Sequence, residues 1–169
     1  MAITIEPLGK HARAAFSCGQ PDLDDWFRHR ASQDEKRNVS RVFVAVDGAV
    51  GIVGFYSLSS FKLALEDLPE AIARKLPRYS DIPAALIGRL ARDTRARGTG
   101  SGGLLLADAV RRILSAGRSM AVFAIVVDAK DDHAVAFYQG YGFSSFPTRP
   151  RRLFLLASVA AQAFADAAG

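Results

Sequence analysis

The residues Arg97-Gly98-Thr99-Gly100-Ser101-Gly102-Gly103 run directly into the apolar stretch Leu104-Leu105-Leu106-Ala107-Asp108-Ala109. Four glycines within seven residues permit positive φ and let a ligand approach the main chain closely. The first turn of a helix leaves its N–H groups without carbonyl partners and carries the positive end of the helix dipole. Loop and helix start together form a cradle in which backbone N–H groups converge on a phosphate or diphosphate. A mobile glycine linker is the competing reading, and the amphipathic helix behind the loop argues against it.

Charge points the same way. Between Arg74 and Arg118 stand ten Lys or Arg against three acids (Asp81, Asp93 and Asp108), a balance of +7. The rest of the chain holds 12 basic and 14 acidic residues, a balance of −2. Arg149, Arg151 and Arg152 form a second basic cluster. Charge localised in this way suggests a polyanionic partner or substrate, and a solvated basic face serving solubility is the bland explanation. Tyr138 has the chemistry of a general acid, because a tyrosine with a reference pKa of about 10 is protonated at neutral pH. An arbitrary tyrosine at helical spacing more commonly fills a core. Asp93 and His133 could also move protons, although a turn or cap role suits Asp93 and an exposed helix start suits His133.

These residues need elements to position them. Ile3 to Leu8 reads as a strand, and Asp22 is placed to cap a helix carrying Leu23, Trp26 and Phe27, which fades in the charged run Asp34 to Arg37. Arg41 to Val46 and Val50 to about Phe61 make a hairpin across Asp47-Gly48. Ala64 to Leu76 has a helical pattern disturbed by Pro69. Ala85 to Arg92 is the strand ahead of the glycine loop. The helix after that loop places Leu106, Ala109, Val110, Ile113 and Leu114 on one face and stops at Gly117. Ala121 to Val127 is apolar throughout, as in a strand buried on both faces. Asp131 or Asp132 caps a helix containing Ala134, Phe137 and Tyr138 that ends near Gly140 or Gly142. Phe143 to Phe146 and Arg152 to Ala157 are the last strands, followed by an alanine-rich tail.

At 169 residues, half of them hydrophobic, the chain is expected to form one α/β domain over residues 1–169. Cys18, the single cysteine, excludes an intrachain disulfide and fits a reducing cytoplasm. The start Met1-Ala2-Ile3-Thr4-Ile5-Glu6 lacks a basic and then apolar leader. No apolar run approaches the roughly 20 residues of a membrane span. A soluble, cytoplasmic protein without a membrane or metal partner is the expectation.

The order of strand, glycine loop, helix, buried strand and short helix resembles the GNAT (Gcn5-related) N-acetyltransferases. Their acetyl-CoA motif, Arg or Gln, two residues, Gly, one residue, Gly or Ala, is matched by Arg97 through Gly102. Asp131-Asp132-His133-Ala134-Val135-Ala136-Phe137-Tyr138 with Gly140-Tyr141-Gly142-Phe143 is similar to the second landmark of the superfamily, in which many members carry Asn at the position of Asp131. Phe16-Ser17-Cys18-Gly19, Leu23-Asp24 with Trp26, Gly54 to Leu58, Leu76-Pro77-Arg78-Tyr79 and Ile87 to Asp93 extend the likeness to the GNAT toxins of bacterial type II toxin–antitoxin modules. Arg92 departs from that pattern, which has an apolar residue there.

The resemblance implies a GNAT fold, with a mixed, mostly antiparallel twisted sheet of six to seven strands flanked by about four helices. It implies acetyl-CoA as cosubstrate and aminoacyl-tRNA as acceptor, acetylation of whose α-amino group blocks translation. It implies a ribbon-helix-helix antitoxin as partner, a homodimer, and a bacterial cytoplasmic location. Carried over residue by residue, Arg97, Gly98, Thr99, Gly100, Ser101, Gly102 and Gly103 take the diphosphate, with the N–H of Arg97 more important than its side chain. Leu90, Ala91 and Arg92 pair with the pantetheine amides, and Tyr138 protonates the leaving thiolate. Arg78, Arg89, Arg92, Arg95, Arg149 and Arg151 are candidates for tRNA phosphates, with Tyr79 or Phe146 for base stacking. No general base stands out. An α-amino group with a pKa near ~8 is substantially neutral at physiological pH, whereas a lysine near ~10.4 is not. Two other readings stay open: a GNAT enzyme acting on a small-molecule or protein amine, and a non-catalytic RNA-binding protein that has kept the fold.

Overall fold

The computed structural model describes residues 2–79 and 81–168. In chain order the strands are β1 (Ile3–Pro7), β2 (Arg41–Asp47), β3 (Gly51–Ala64), β4 (Asp81–Arg92), β5 (Ala124–Asp128), β6 (Ser144–Phe146) and β7 (Arg149–Leu156). The helices are α1 (Pro21–His29), α2 (Ala31–Lys36), α3 (Glu70–Ala73), α4 (Ser101–Ala116), α5 (Asp132–Gly140) and α6 (Ala157–Ala168). Short 3-10 turns occupy Leu65–Asp67 and Thr94–Ala96. The strands form one seven-stranded, mostly antiparallel sheet in the order β1-β2-β3-β4-β5-β7-β6. Among the described residues no helix is long and apolar enough to cross a membrane.

Two compact units make up the chain, Met1–Ser59 with Ile87–Ala109, and Ser60–Leu86 with Val110–Gly169. In the first, β1 and β3 pair antiparallel with β2, with a bulge between Ala45 and Val46. The hairpin turn follows Asp47, whose Oδ1 accepts the N–H groups of Ala49 and Val50 at 2.7 and 3.1 Å. Gly51 closes the turn at φ +92°, a conformation that suits a residue without a Cβ. The core of this unit is aromatic: Phe27 stacks on Phe55 at 4.2 Å, Phe16 meets both edge-on, and Trp26 stacks on Phe55 at 5.9 Å.

At α1 the expected cap is corrected. Gln20 occupies the N-cap position without a side-chain bond, and Pro21 opens the helix, where its fixed φ and missing N–H cost nothing. Asp22 therefore lies in the first turn, where it complements the dipole. The helix does not fade through Arg37 but breaks at Arg30 and resumes as α2.

Gly54 sets how closely α4 lies on β3. A Cβ there would come within 2.6 Å of Leu105 Cδ1 and 3.2 Å of the Ala91 carbonyl oxygen. Leu105 is completely buried, so it has no room to yield. Gly54→Ala is expected to destabilise the protein by about 1–3 kcal/mol through overpacking. Chemical denaturation measures this, and an unchanged midpoint would show that the helix can lift off freely.

In the second unit β7 pairs antiparallel with both β5 and β6. Ala124 to Val127 are fully buried, in keeping with their unbroken apolar run. Leu63, Leu68, Ile82, Phe146 and Phe154 fill the core with them. Two expectations change here. The stretch Ala64 to Leu76 is helical only in part: β3 runs on to Ala64, a 3-10 turn follows, and α3 starts after Pro69 at its N-cap and spans four residues. The alanine-rich tail is α6, and with the short α2 and α3 it raises the helix count above the four expected.

Candidate functional site

The strand β4 leads into the glycine loop through one turn. The Asp93 N–H donates to the Val53 carbonyl at 2.8 Å, the Ala96 N–H returns to the Asp93 carbonyl at 2.9 Å, and the loop starts. Gly98 and Gly100 stand at φ +74° and +80°, with nothing within 4 Å of where a Cβ would lie. The Ala96 carbonyl gathers three donors: the Thr99 N–H at 3.3 Å, the Thr99 hydroxyl at 2.6 Å and the Ser101 hydroxyl at 3.4 Å. The Arg97 N–H is turned to the Thr94 carbonyl at 3.4 Å. Among the described residues, the N–H groups of Gly98, Gly100, Ser101, Gly102 and Gly103 have no acceptor. The loop uses the N–H groups of Arg97 and Thr99 to hold its own shape, and the five others make no bond within the described chain.

That arrangement fits a diphosphate. Unbonded amides, two left-handed glycines and the N-terminus of a 16-residue helix supply donors and positive potential without a side chain in the way. On β4, Ala91 is buried, and Leu90 and Arg92 are half-buried. The Tyr56 hydroxyl, buried on β3, donates to Asp108 of α4, fixing the helix a second time.

Asp93 is almost fully buried at the loop root, and its carboxylate accepts from the Arg95 backbone, the Arg95 guanidinium and the Ser17 N–H. Burial alone would raise its pKa, but those hydrogen bonds together hold the carboxyl below the usual carboxylate range. It is thus a cap and clamp, in line with the turn role expected, and its donors leave no lone pair aimed at a substrate proton. His133 is exposed in the first turn of α5.

Tyr138 belongs to the second unit. Asp131 caps α5 by accepting the Ala134 N–H at 2.8 Å, which orients the helix that carries it. The phenol ring is buried against Phe137 and Phe143 at centroid distances of 5.2 and 5.7 Å. Burial, reinforced by the negative charge of Asp128, pushes its pKa above the ordinary tyrosine value, so the proton stays on the oxygen throughout the physiological range.

The arginines are scattered in role. Arg89 stacks on the Trp26 ring at 3.9 Å, and Trp26 Nε1 donates to Asp34 at 2.9 Å. Burial there lowers the Arg89 pKa. Arg95 is engaged by Asp93. Neither internal partner was visible in a count of charges; the Asp-x-Arg spacing at the start of a turn was the available signal for Arg95. Arg149 and Arg151 line one groove of about 560 Å³ with Asp128, Asp132 and Arg152. Arg151 contacts Asp132 at 3.3 Å, and Arg152 chelates Asp128 at 2.8 and 3.1 Å. Arg78 and the exposed Tyr79 line another groove of about 490 Å³ with Arg74, Glu66 and Glu70. Phe146, by contrast, is a core residue that packs on Phe154 and is closed to base stacking. Among the described residues no group of three His, Cys, Asp or Glu could hold a metal ion.

No protein-family profile matches the chain. A probable toxin TacT from Sinorhizobium fredii is 37% identical over 161 residues, 89% of either chain. A tRNA-acetylating toxin from Mycobacterium tuberculosis is 42% identical over 143 residues, 84% of either chain. Among solved structures, a Tyr-to-Phe mutant of KacT superposes with a TM-score of 0.90 at 25% identity, covering 96% of this chain and 99% of its own. AtaT complexed with acetyl-methionyl-tRNAfMet shares the fold at a TM-score of 0.88 and 24% identity, with the same coverage. AtaT has also been solved with acetyl-CoA and with the antitoxin AtaR on DNA. Identity at this level along most of the length, added to the glycine loop and the Tyr138 helix, shows that the chain belongs to the tRNA-acetylating toxins of the GNAT acetyltransferase family.

Proposed function

We propose that this protein moves the acetyl group of acetyl-CoA onto the α-amino group of an amino acid esterified to tRNA, and so stops translation. The observation that carries the reading is the row of five unbonded amides between Gly98 and Gly103. They would hold the diphosphate of acetyl-CoA, and the Leu90–Arg92 end of β4 would take the pantetheine amides by strand addition. Acetyl-CoA brings a thioester whose carbonyl accepts the amine and whose sulfur departs. Tyr138, buried and protonated, donates its proton or a hydrogen bond to that sulfur as it leaves. The amine needs less help from a base than a lysine would, because an α-amino pKa of ~8, lowered further by the adjacent ester, leaves a reactive neutral fraction near pH 7.

The exposed arginines Arg78, Arg149 and Arg151 supply the contacts to the acceptor-stem phosphates, which give affinity and salt sensitivity more than sequence choice. A ribbon-helix-helix antitoxin neutralises the enzyme, a homodimer is the working form, and the bacterial cytoplasm is its place of action. The complexes of AtaT with acetyl-methionyl-tRNAfMet, acetyl-CoA and AtaR support the tRNA, acetyl-CoA and antitoxin partners by analogy of fold.

The test is transfer of labelled acetyl from acetyl-CoA to purified tRNA. Charged tRNA is expected to take label and uncharged tRNA to take none, with mass spectrometry placing the acetyl on the amino acid nitrogen. Label on free amines or on protein lysines, with charged tRNA untouched, would move the enzyme to another GNAT substrate class.

A further inference from the structure

We propose that Asp93 is a positioning residue for the acetyl-CoA loop, setting the loop's conformation through Arg95 and through the segment Phe16 to Gly19. The inference rests on reading the glycine loop as the diphosphate site. Both oxygens of this buried carboxylate are fully used. Oδ1 accepts the Arg95 N–H and Nε at 2.8 Å each, while Oδ2 accepts Arg95 Nη2 at 2.9 Å and the Ser17 N–H at 3.1 Å. The Thr94 N–H answers with a bond to the Ser17 carbonyl at 2.9 Å. Ser17 is therefore stitched to the loop root from both of its backbone groups.

A second carboxylate anchors the same segment from the other side. Asp24 of α1, also buried, accepts the Cys18 N–H at 2.9 Å and the Ser17 hydroxyl at 3.3 Å. The pattern Phe16-Ser17-Cys18-Gly19 followed by Leu23-Asp24 thereby acquires a physical purpose: it is a strap between α1 and the turn that launches the loop. The line continues through Ala96, whose N–H bonds to the Asp93 carbonyl and whose own carbonyl collects Thr99 and Ser101. All four neighbours of the Asp93 carboxylate are donors, so an amide in its place would set an NH₂ against the guanidinium or the Ser17 N–H. Arg95, counted among the tRNA contacts from charge alone, is assigned to the cofactor side of the enzyme.

The experiment compares two acetyl donors on the full chain: acetyl-CoA and S-acetylpantetheine, which has no diphosphate. Asp93→Asn is expected to raise KM for acetyl-CoA roughly tenfold through loss of charge-assisted bonds and loop preorganisation. KM for charged tRNA and the rate with S-acetylpantetheine stay at wild-type levels. Equal losses with both donors would mean a general folding defect and would overturn the proposal. Arg95→Gln changes only the half-exposed end of the clamp, which keeps the question answerable if the buried variant misfolds. It is expected to shift KM for acetyl-CoA in the same direction, by about threefold. A rise in KM for tRNA instead would make Arg95 an RNA contact and defeat the assignment. If wild-type enzyme does not favour acetyl-CoA over S-acetylpantetheine, the loop is not a diphosphate site and both readings fall. If it does, and Asp93→Asn behaves as wild type, only the role of Asp93 is lost.

Discussion

Replacing Tyr138 by phenylalanine is expected to slow acetyl transfer on the order of 10²- to 10⁴-fold, the usual worth of a positioned general acid. The change removes one hydroxyl from a ring that keeps its packing on Phe137 and Phe143. The ring of the variant fills the same buried space, so the core keeps its packing. Thermal stability and acetyl-CoA affinity should therefore match wild type, and the deficit should appear in kcat. Growth arrest on expression should be relieved in parallel. The pH profile should keep the same shape in the variant, only lower. Burial raises the Tyr138 pKa, so the phenol keeps its proton as pH climbs through the ordinary tyrosine range and contributes no alkaline limb there. The acid limb follows the substrate amine, near ~8 or below, in wild type and variant alike. Wild-type turnover in the variant would strike Tyr138 from the mechanism.

Gly100→Val should remove acetyl-CoA binding. A β-branched residue is held out of the left-handed region by its own Cβ and branches, at a cost of roughly 1–2 kcal/mol or more, and Gly100 sits at φ +80°. Nothing lies within 4 Å of the added Cβ, so the strain acts on the loop and not on the core. The loop relaxes by rotating the peptides on either side, which turns their amides away from the ligand. Losing two such bonds to an anion, at about 1.5–3 kcal/mol each, weakens binding by at least about 10²-fold. Calorimetry with acetyl-CoA measures this directly, with the unfolding midpoint as a control. Gly100→Ala should fall between wild type and the valine variant. Full affinity in Gly100→Val would mean that the anion rests on side chains.

Local chemistry decided how much of this was legible beforehand. The glycine loop, the start of α4 at Ser101, an aspartate cap at Asp131 or Asp132 and the buried strand β5 each carry a residue type with one strong conformational preference, and each was readable from the chain. α6 carried a signal too, since alanine is the best helix former, but its weak amphipathic pattern hid it behind composition. The region after Ala64 misled because a proline and a few apolar residues at helical spacing also suit a long strand followed by a turn. The arginines were the least legible. Arg89 on Trp26 and Arg95 on Asp93 owe their places to partners distant in sequence or hidden by folding, and charge counts treat them like Arg78. Tyr138 owed its catalytic assignment to family likeness, because periodicity alone suits a core aromatic equally well.

The stack of Arg89 on Trp26 has an optical consequence. This indole is the only one in the chain, and it lies buried with a guanidinium 3.9 Å from its ring centre and a carboxylate on its nitrogen. Its fluorescence is therefore a label already in place. Selective excitation will report, without any added dye, when α1 parts from β4.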